Sequence, residues 1–117
     1  MNGFADWPDV TAFALVLPAT ELAGYYGEPT PKVGGKAFVG IGREPGTSFV
    51  LITGLDAKAM LIATQPDVFW ETDHYVGWPA VLVRFGIGER AWLDTLIARA
   101  WWDKAPRGVR AAWGTRP

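Results

Sequence analysis

The sequence predicts an α+β domain in which an antiparallel sheet carries helices on one face, giving two layers. Three observations support this fold class. Segments with helical apolar spacing lie near both ends of the chain, the apolar runs between them are joined mostly by tight turns, and 117 residues suit one domain. Half of the residues are hydrophobic and a fifth are charged, which is typical of a globular protein.

The first helix is predicted to begin after Asp6, because aspartate caps helices and Pro8 then falls in the first turn. Its apolar side chains follow at helical spacing and form one stripe, made of Val10, Phe13, Ala14 and Leu17. Pro18 is expected to end this helix.

The strands are predicted between residues 29 and 53. The prolines in 29–33 favour an edge strand or a loop, since proline donates no ladder hydrogen bond. Gly34-Gly35 predicts a turn before a strand over 36–41, and 44–46 (EPG) predicts a type II turn. The apolar run 48–53 predicts the central strand, paired with 36–41 as an antiparallel hairpin.

The second half adds two long helices and one more strand. A helix is predicted from Asp56, its expected cap, to the residue before Pro66, and a strand begins at Pro79. The last long helix is predicted over 89–103, with a short further helix over 107–113. The stripe of the long helix consists of Leu93, Leu96, Ile97 and Ala100.

Composition excludes several classes of protein. The chain has no cysteine, which removes disulfides, thiol nucleophiles and cysteine-ligated zinc. The first residues lack a signal-peptide pattern, and no apolar run approaches the roughly 20 residues of a membrane span. The sequence therefore predicts a single cytoplasmic domain with no membrane association and no cofactor, and it favours a monomer.

The charge is unevenly distributed. Residues 1–98 carry six basic and eleven acidic side chains, a balance of −5, whereas 99–117 carry five basic and one acidic, a balance of +4. Such a tail can bind an anion or nucleic acid, but cations also gather near helix C-termini because the helix dipole favours them there. The basic residues of the tail are Arg99, Lys104, Arg107, Arg110 and Arg116.

Seven tryptophans are unusual for this length, and large aromatic side chains can anchor a core without disulfides. Trp101 adjoins the apolar stripe of the last helix and is expected in the core, with Trp102 at its boundary, and Trp78 is first expected to be a core anchor as well. Trp70, Tyr75 and Trp78 show neither helical nor strand periodicity, which leaves open a role as an interaction surface.

No complete catalytic constellation is present. His74 is the only histidine, and Ser48, the only serine, lacks the G-x-S-x-G elbow. Glu71 and Asp73 are two residues apart and can share a strand face with acid–base potential, but an ordinary solvated edge is the simpler interpretation. The glycines of 34–35 and 40–42 match neither the P-loop nor the dinucleotide pattern, so turns are expected there. The sequence thus predicts a protein that is not an enzyme and holds no metal.

An ordered set of short motifs nevertheless resembles the MmcQ/YjbR-like family of small bacterial domains, over roughly residues 7–112. The motifs are FALVLPATE at 13–21, YGEP at 26–29, VGGKAF at 33–38, LI at 61–62, GWPAV at 77–81 and LIARAW at 96–101. The resemblance implies a compact fold with helices against an antiparallel sheet, and it implies DNA binding, a label that the family carries largely by structural analogy. Lys36 matches the lysine of the family's glycine-glycine-lysine turn.

Two binding functions follow as expectations. The first is a non-enzymatic domain that binds DNA through a basic surface formed by Lys36, Arg99, Lys104, Arg107 and Arg110. The alternative is a module that binds a protein or a small ligand through the aromatic surface around Trp70, Tyr75 and Trp78.

Overall fold

A computed structural model describes residues 2–25 and 28–117, so Tyr26 and Gly27 of the motif at 26–29 lie outside the described residues. The helices are α1 (Trp7–Ala14), α2 (Leu55–Thr64), α3 (Arg90–Lys104) and α4 (Arg107–Trp113). The strands are β1 (Thr20–Tyr25), β2 (Glu28–Val33), β3 (Lys36–Ala37), β4 (Val39–Gly40), β5 (Ser48–Ile52), β6 (Phe69–Trp70) and β7 (Ala80–Arg84). A 3₁₀ turn covers Asp73–Tyr75.

The α+β class is confirmed, but the described strands form two antiparallel sheets instead of one. Three strands pair in the order β1-β2-β3, and four pair in the order β4-β5-β7-β6. The single strand predicted over 36–41 is therefore wrong, because the chain changes sheets at Phe38. That side chain is fully buried, and its carbonyl accepts a hydrogen bond from Ile52 N at 3.0 Å. Burying this ring draws the backbone away from β2 and onto β5.

The proline-containing strand β2 lies in the centre of its sheet, so the expected edge strand or loop is also wrong. Pro29 and Pro31 stand opposite Gly24 and Leu22 of β1. The strand tolerates them because β3 pairs only with the last two residues of β2. The prolines are two residues apart, so their missing N–H groups fall on the same side of the strand.

The four-stranded sheet has two apolar faces. On the first, Phe49, Leu51, Val81 and Val83 alternate along β5 and β7 and join the main core beneath α1 and α3. The second face carries a smaller cluster made of Val50, Tyr75, Ala80 and Leu82. Antiparallel sheets with one solvated face usually alternate apolar and polar side chains, so the second face requires a separate explanation.

The helices mostly follow the sequence, with shifts at their ends. Asp6 caps α1 by accepting a hydrogen bond from Asp9 N at 2.9 Å, as predicted. However, α1 ends at Ala14, because the ring of Pro18 would clash with a helical carbonyl four residues earlier. The following turn tightens instead, with Leu17 N donating to Ala14 O at 3.1 Å, and Leu17 still reaches the core.

Two other local predictions need correction. Gly54, and not Asp56, occupies the N-cap position of α2, and Asp56 lies in its first turn. The turn after Glu44 is not of type II, because Gly46 does not have the positive φ that this type requires. Glu44 O instead accepts hydrogen bonds from both Thr47 N and Ser48 N. The stripe of α3 is buried as predicted, and Glu89 caps that helix.

No helix in the described part of the chain is long and apolar enough to cross a lipid bilayer.

Candidate functional site

A buried lysine holds the segment that connects β6 to β7. Lys58 on α2 is only 4% exposed, and its Nζ donates to Tyr75 O at 2.6 Å and to Trp78 O at 2.8 Å. The same ammonium lies 2.7 Å from Glu71 Oε2. An ammonium has three N–H donors, so these three acceptors satisfy it completely. Lys58 therefore fixes the backbone of residues 71–78 against α2.

The fixed segment forms one wall of an open groove of about 700 Å³. The groove floor is the second apolar face of the four-stranded sheet, with Val50, Ile52 and Ala80 among its lining residues, and β2 contributes Glu28 and Thr30. This volume lies within the roughly 300–1,000 Å³ of typical small-molecule sites. The second face of β5 and β7 is apolar because Tyr75 packs on it, in one buried cluster with Val50, Ala80 and Leu82, and the groove lies along this cluster.

Tyr75 crosses this groove at its floor. The side chain is 9% exposed, and its hydroxyl lies against Gly42, where a methyl group would stand 2.6 Å from the phenolic oxygen. The same methyl would lie 2.7 Å from a methyl carbon of the stiff Val50 side chain. Position 42 therefore requires glycine for this close approach. Within residues 2–25 and 28–117, no group hydrogen-bonds the hydroxyl, which is left to face the groove.

The aromatic cluster predicted from the sequence is split by the fold. Trp78 lines the groove and is 62% exposed, so the expectation that it anchors the core is wrong. Trp70 does not line the groove; it packs on the small cluster while the guanidinium of Arg84 lies 3.9 Å from its ring centroid. Two of the three predicted residues, Tyr75 and Trp78, thus share one concave site.

The charged residues at the groove are Arg43, Glu28 and His74. All three are exposed, and among the described residues neither Arg43 nor the Glu28 carboxylate forms an ion pair. The His74 ring meets the Tyr75 ring edge-on with centroids 4.8 Å apart. Lys58 and Gly42 could not be identified from the sequence, since a lysine in a helix and a glycine between strands are both common and mark no site.

The acid–base candidates do not converge. His74 lines the groove, whereas Glu71 is paired with Lys58 and Asp73 lies outside the lining. In the described ranges, no three histidine or carboxylate side chains are placed to hold a metal ion.

The predicted basic surface is brought together only in part. The Gly34-Gly35 turn packs on Pro106, since a methyl group at Gly34 would lie 2.8 Å from Pro106 Cγ. This contact brings the turn that precedes Lys36 beside the segment that carries Lys104 and Arg107. For these three cations, no ion pair is formed with any residue that the structure describes.

The other cations of the tail form hydrogen bonds or ion pairs within residues 99–117. Arg99 Nε donates to Pro117 O at 3.0 Å, and Arg110 Nε donates to Trp102 O at 2.8 Å. Arg116 pairs with both carboxylate oxygens of Asp103 at 3.0 Å. The hydrogen bond from Asp103 raises the pKa of the Arg116 guanidinium above its usual value, and partial burial opposes this rise. These arginines are thus less available to an external anion than Lys36, Lys104 and Arg107.

These features describe a class of protein, a small α+β protein with an apolar groove between two antiparallel sheets. The chain is 32% identical to uncharacterised protein Rv2570 of Mycobacterium tuberculosis and to uncharacterised protein Mb2600 of Mycobacterium bovis, over 93% of this chain and 95% of each relative. The chain belongs to the family of these mycobacterial proteins. No protein-family model matches the chain. No solved structure matches it.

Proposed function

We propose that this protein binds a small molecule with an apolar, planar body in the groove between its two sheets. One observation carries the proposal: a groove of about 700 Å³ is lined mostly by apolar residues, and the Trp78 ring at its wall is 62% exposed. Leaving apolar lining such as the Trp78 ring in water is unfavourable by about 25 cal/mol per Å² of apolar surface, and a ligand that covers it removes this cost. A concave site of this size suits a small molecule better than a protein surface.

Trp78 is the residue that we expect to contact the planar body. Its ring is exposed at the groove wall, and its carbonyl is held by Lys58, so the backbone that carries the ring is already fixed. A positioned aromatic ring favours offset or edge-on contact with another ring, worth about 0.5–1.5 kcal/mol beyond simple burial.

The proposal is tested with N-phenyl-1-naphthylamine, an uncharged aromatic probe whose fluorescence rises in apolar surroundings. We expect the probe to bind the native protein, and Trp78→Ala to weaken binding about tenfold, which corresponds to about 1.4 kcal/mol. Stability should change by less than about 0.5 kcal/mol, because the ring is largely exposed.

Trp113→Ala is the matched control. Trp113 is 44% exposed and lines a separate hollow of about 300 Å³ beside α4, so its removal should leave probe binding intact. Absence of probe binding to the native protein, or equal affinity of the native and Trp78→Ala proteins, would refute the proposal.

We propose DNA binding as a second candidate function, through the basic patch of Lys36, Lys104 and Arg107. The contact of Gly34 with Pro106 supports it, because it gathers cations that are far apart in sequence. The resemblance to the MmcQ/YjbR-like family, whose membership we likewise propose for this chain, points the same way. The net charge of −1 favours the groove as the leading proposal.

The DNA proposal predicts a specific salt dependence. We consider a triple variant that carries Lys36→Gln, Lys104→Gln and Arg107→Gln. If each of these cations neutralises one phosphate, the negative slope of log affinity against log salt should become shallower by about 3. Fluorescence anisotropy of a labelled duplex at several salt concentrations measures this slope. Arg43→Gln, which removes an exposed cation at the groove, is the control and should leave the slope unchanged. Failure of the native protein to bind duplex at low salt would exclude this function.

A further inference from the structure

We infer that the groove binds an aromatic molecule with one anionic head group, such as a carboxylate or a sulfonate, and that Tyr75 and Arg43 hold the head. This inference rests on the proposed function and specifies its ligand. It is carried by a hydroxyl that faces the groove without a hydrogen bond to any described residue, and by a cation at the same groove that forms no ion pair with a described residue.

The Tyr75 hydroxyl is the first of these groups. More than nine-tenths of the residue is buried, which holds the ring in place, whereas the hydroxyl oxygen itself is open to the groove. No described residue supplies a hydrogen-bond partner for it, and the oxygen faces the groove beside Gly42. A ligand oxygen can accept this hydrogen bond in place of water, and an anionic oxygen accepts it most strongly.

Arg43 is the cation that follows Gly42 in the chain. It lines the groove without an ion pair to any described residue, so its guanidinium is available to a ligand. Arginine binds oxyanions, both planar carboxylates and tetrahedral groups such as phosphates, through two parallel hydrogen bonds. The His74 ring, in contact with Tyr75, adds a further nitrogen at the groove.

Glu28 sets a limit on the charge of the ligand. It is the one carboxylate among the described residues that line the groove, and it repels negative charge. One anionic head beside Arg43 is compatible with this carboxylate, whereas a second negative charge on the ligand would be opposed. The apolar floor and Trp78 then receive the ring system of the ligand.

Two probes that differ only in the head group measure how much an anionic head contributes to binding. 8-Anilino-1-naphthalenesulfonate and N-phenyl-1-naphthylamine share one ring skeleton and differ by a sulfonate. We expect the native protein to bind the sulfonate about tenfold more tightly than the uncharged probe, because it adds charge-assisted hydrogen bonds. Isothermal titration calorimetry measures both affinities.

Three substitutions should affect only the charged probe. Arg43→Gln should weaken sulfonate binding about tenfold, and Tyr75→Phe about fivefold, while the uncharged probe keeps its affinity. Glu28→Gln should strengthen sulfonate binding about twofold, since it removes a repulsive charge. Arg43 and Glu28 are exposed and Phe keeps the ring of Tyr75, so near-ultraviolet circular dichroism should show unchanged folding.

The outcomes separate this inference from the proposed function. If both probes bind equally and neither Arg43→Gln nor Tyr75→Phe changes the sulfonate affinity, the anionic head is wrong and the apolar groove stands. If Trp113→Ala abolishes sulfonate binding, the sulfonate occupies the hollow beside α4 and the inference is overturned. If the uncharged probe fails to bind at all, the proposed function itself is wrong.

Discussion

Lys58→Met is expected to lower the free energy of unfolding by about 3 kcal/mol. Methionine fills a similar volume, but it cannot donate to the carbonyls of Tyr75 and Trp78 or neutralise Glu71. Breaking a buried ion pair typically costs about 3–5 kcal/mol. We place the effect at the lower end of that range because the Glu71 side chain is 34% exposed and water can solvate it. Urea denaturation at neutral pH measures the change.

Two comparison variants define the cause of this loss. Lys36→Met removes an exposed lysine and should change stability by less than about 0.5 kcal/mol. Glu71→Gln keeps an oxygen that accepts from Lys58 and should cost only about 1 kcal/mol. A Lys58→Met protein as stable as the Lys36→Met protein would show that the three contacts of Lys58 do not hold the groove wall.

Trp101→Ala is expected to be the most destabilising substitution that we consider, at about 4 kcal/mol. The side chain is fully buried in the main core, and its indole Nε1 donates to Pro18 O at 3.0 Å across the chain. Tryptophan-to-alanine changes in a core cost about 3–5 kcal/mol, because burial is lost and a cavity remains. The carbonyl of Pro18 also loses its donor. Thermal unfolding followed by circular dichroism gives the magnitude.

Trp113→Ala is the comparison variant. The Trp113 ring contacts the Trp101 ring edge-on, with centroids 5.0 Å apart, but Trp113 is 44% exposed. The free energy of unfolding of the Trp113→Ala protein should fall by about 1 kcal/mol, the scale of one aromatic pair. Equal losses for the two variants would contradict the assignment of Trp101 as the core anchor and of Trp113 as its partly exposed neighbour.

The helices were the most predictable part of the fold. The stripe of α3, its neighbour Trp101 and the cap at Asp6 all follow from spacing and residue type, and the structure confirms them. Apolar periodicity indicates a buried helix face directly, because a helix forms its backbone hydrogen bonds internally and only its apolar face must pack on another surface. Helix ends were less certain, as α1 shows, since a proline acts several residues before its own position.

The sheets were predicted less well because strand pairing depends on distant residues. The run over 48–53 indicated a central strand, and β5 does lie between β4 and β7. The change of sheets at Phe38 and the central position of β2 have no local signal, since both depend on which strands lie beside them. Of the candidate sites, the sequence identified Tyr75 and Trp78 but did not show that they share a groove.

The sequence by itself determined the α+β class, the helix faces and the residue types available for binding. Periodicity, caps and composition are local properties, so they can be read before any folding is known. Only the tertiary structure decided that Lys58 would be buried against three acceptors, that Gly42 would meet the Tyr75 hydroxyl, and that β5 would carry a second apolar face above an open groove. Each of these depends on contacts between distant segments, because burial and hydrogen-bond satisfaction arise only when the sheets and the connecting segment are packed together.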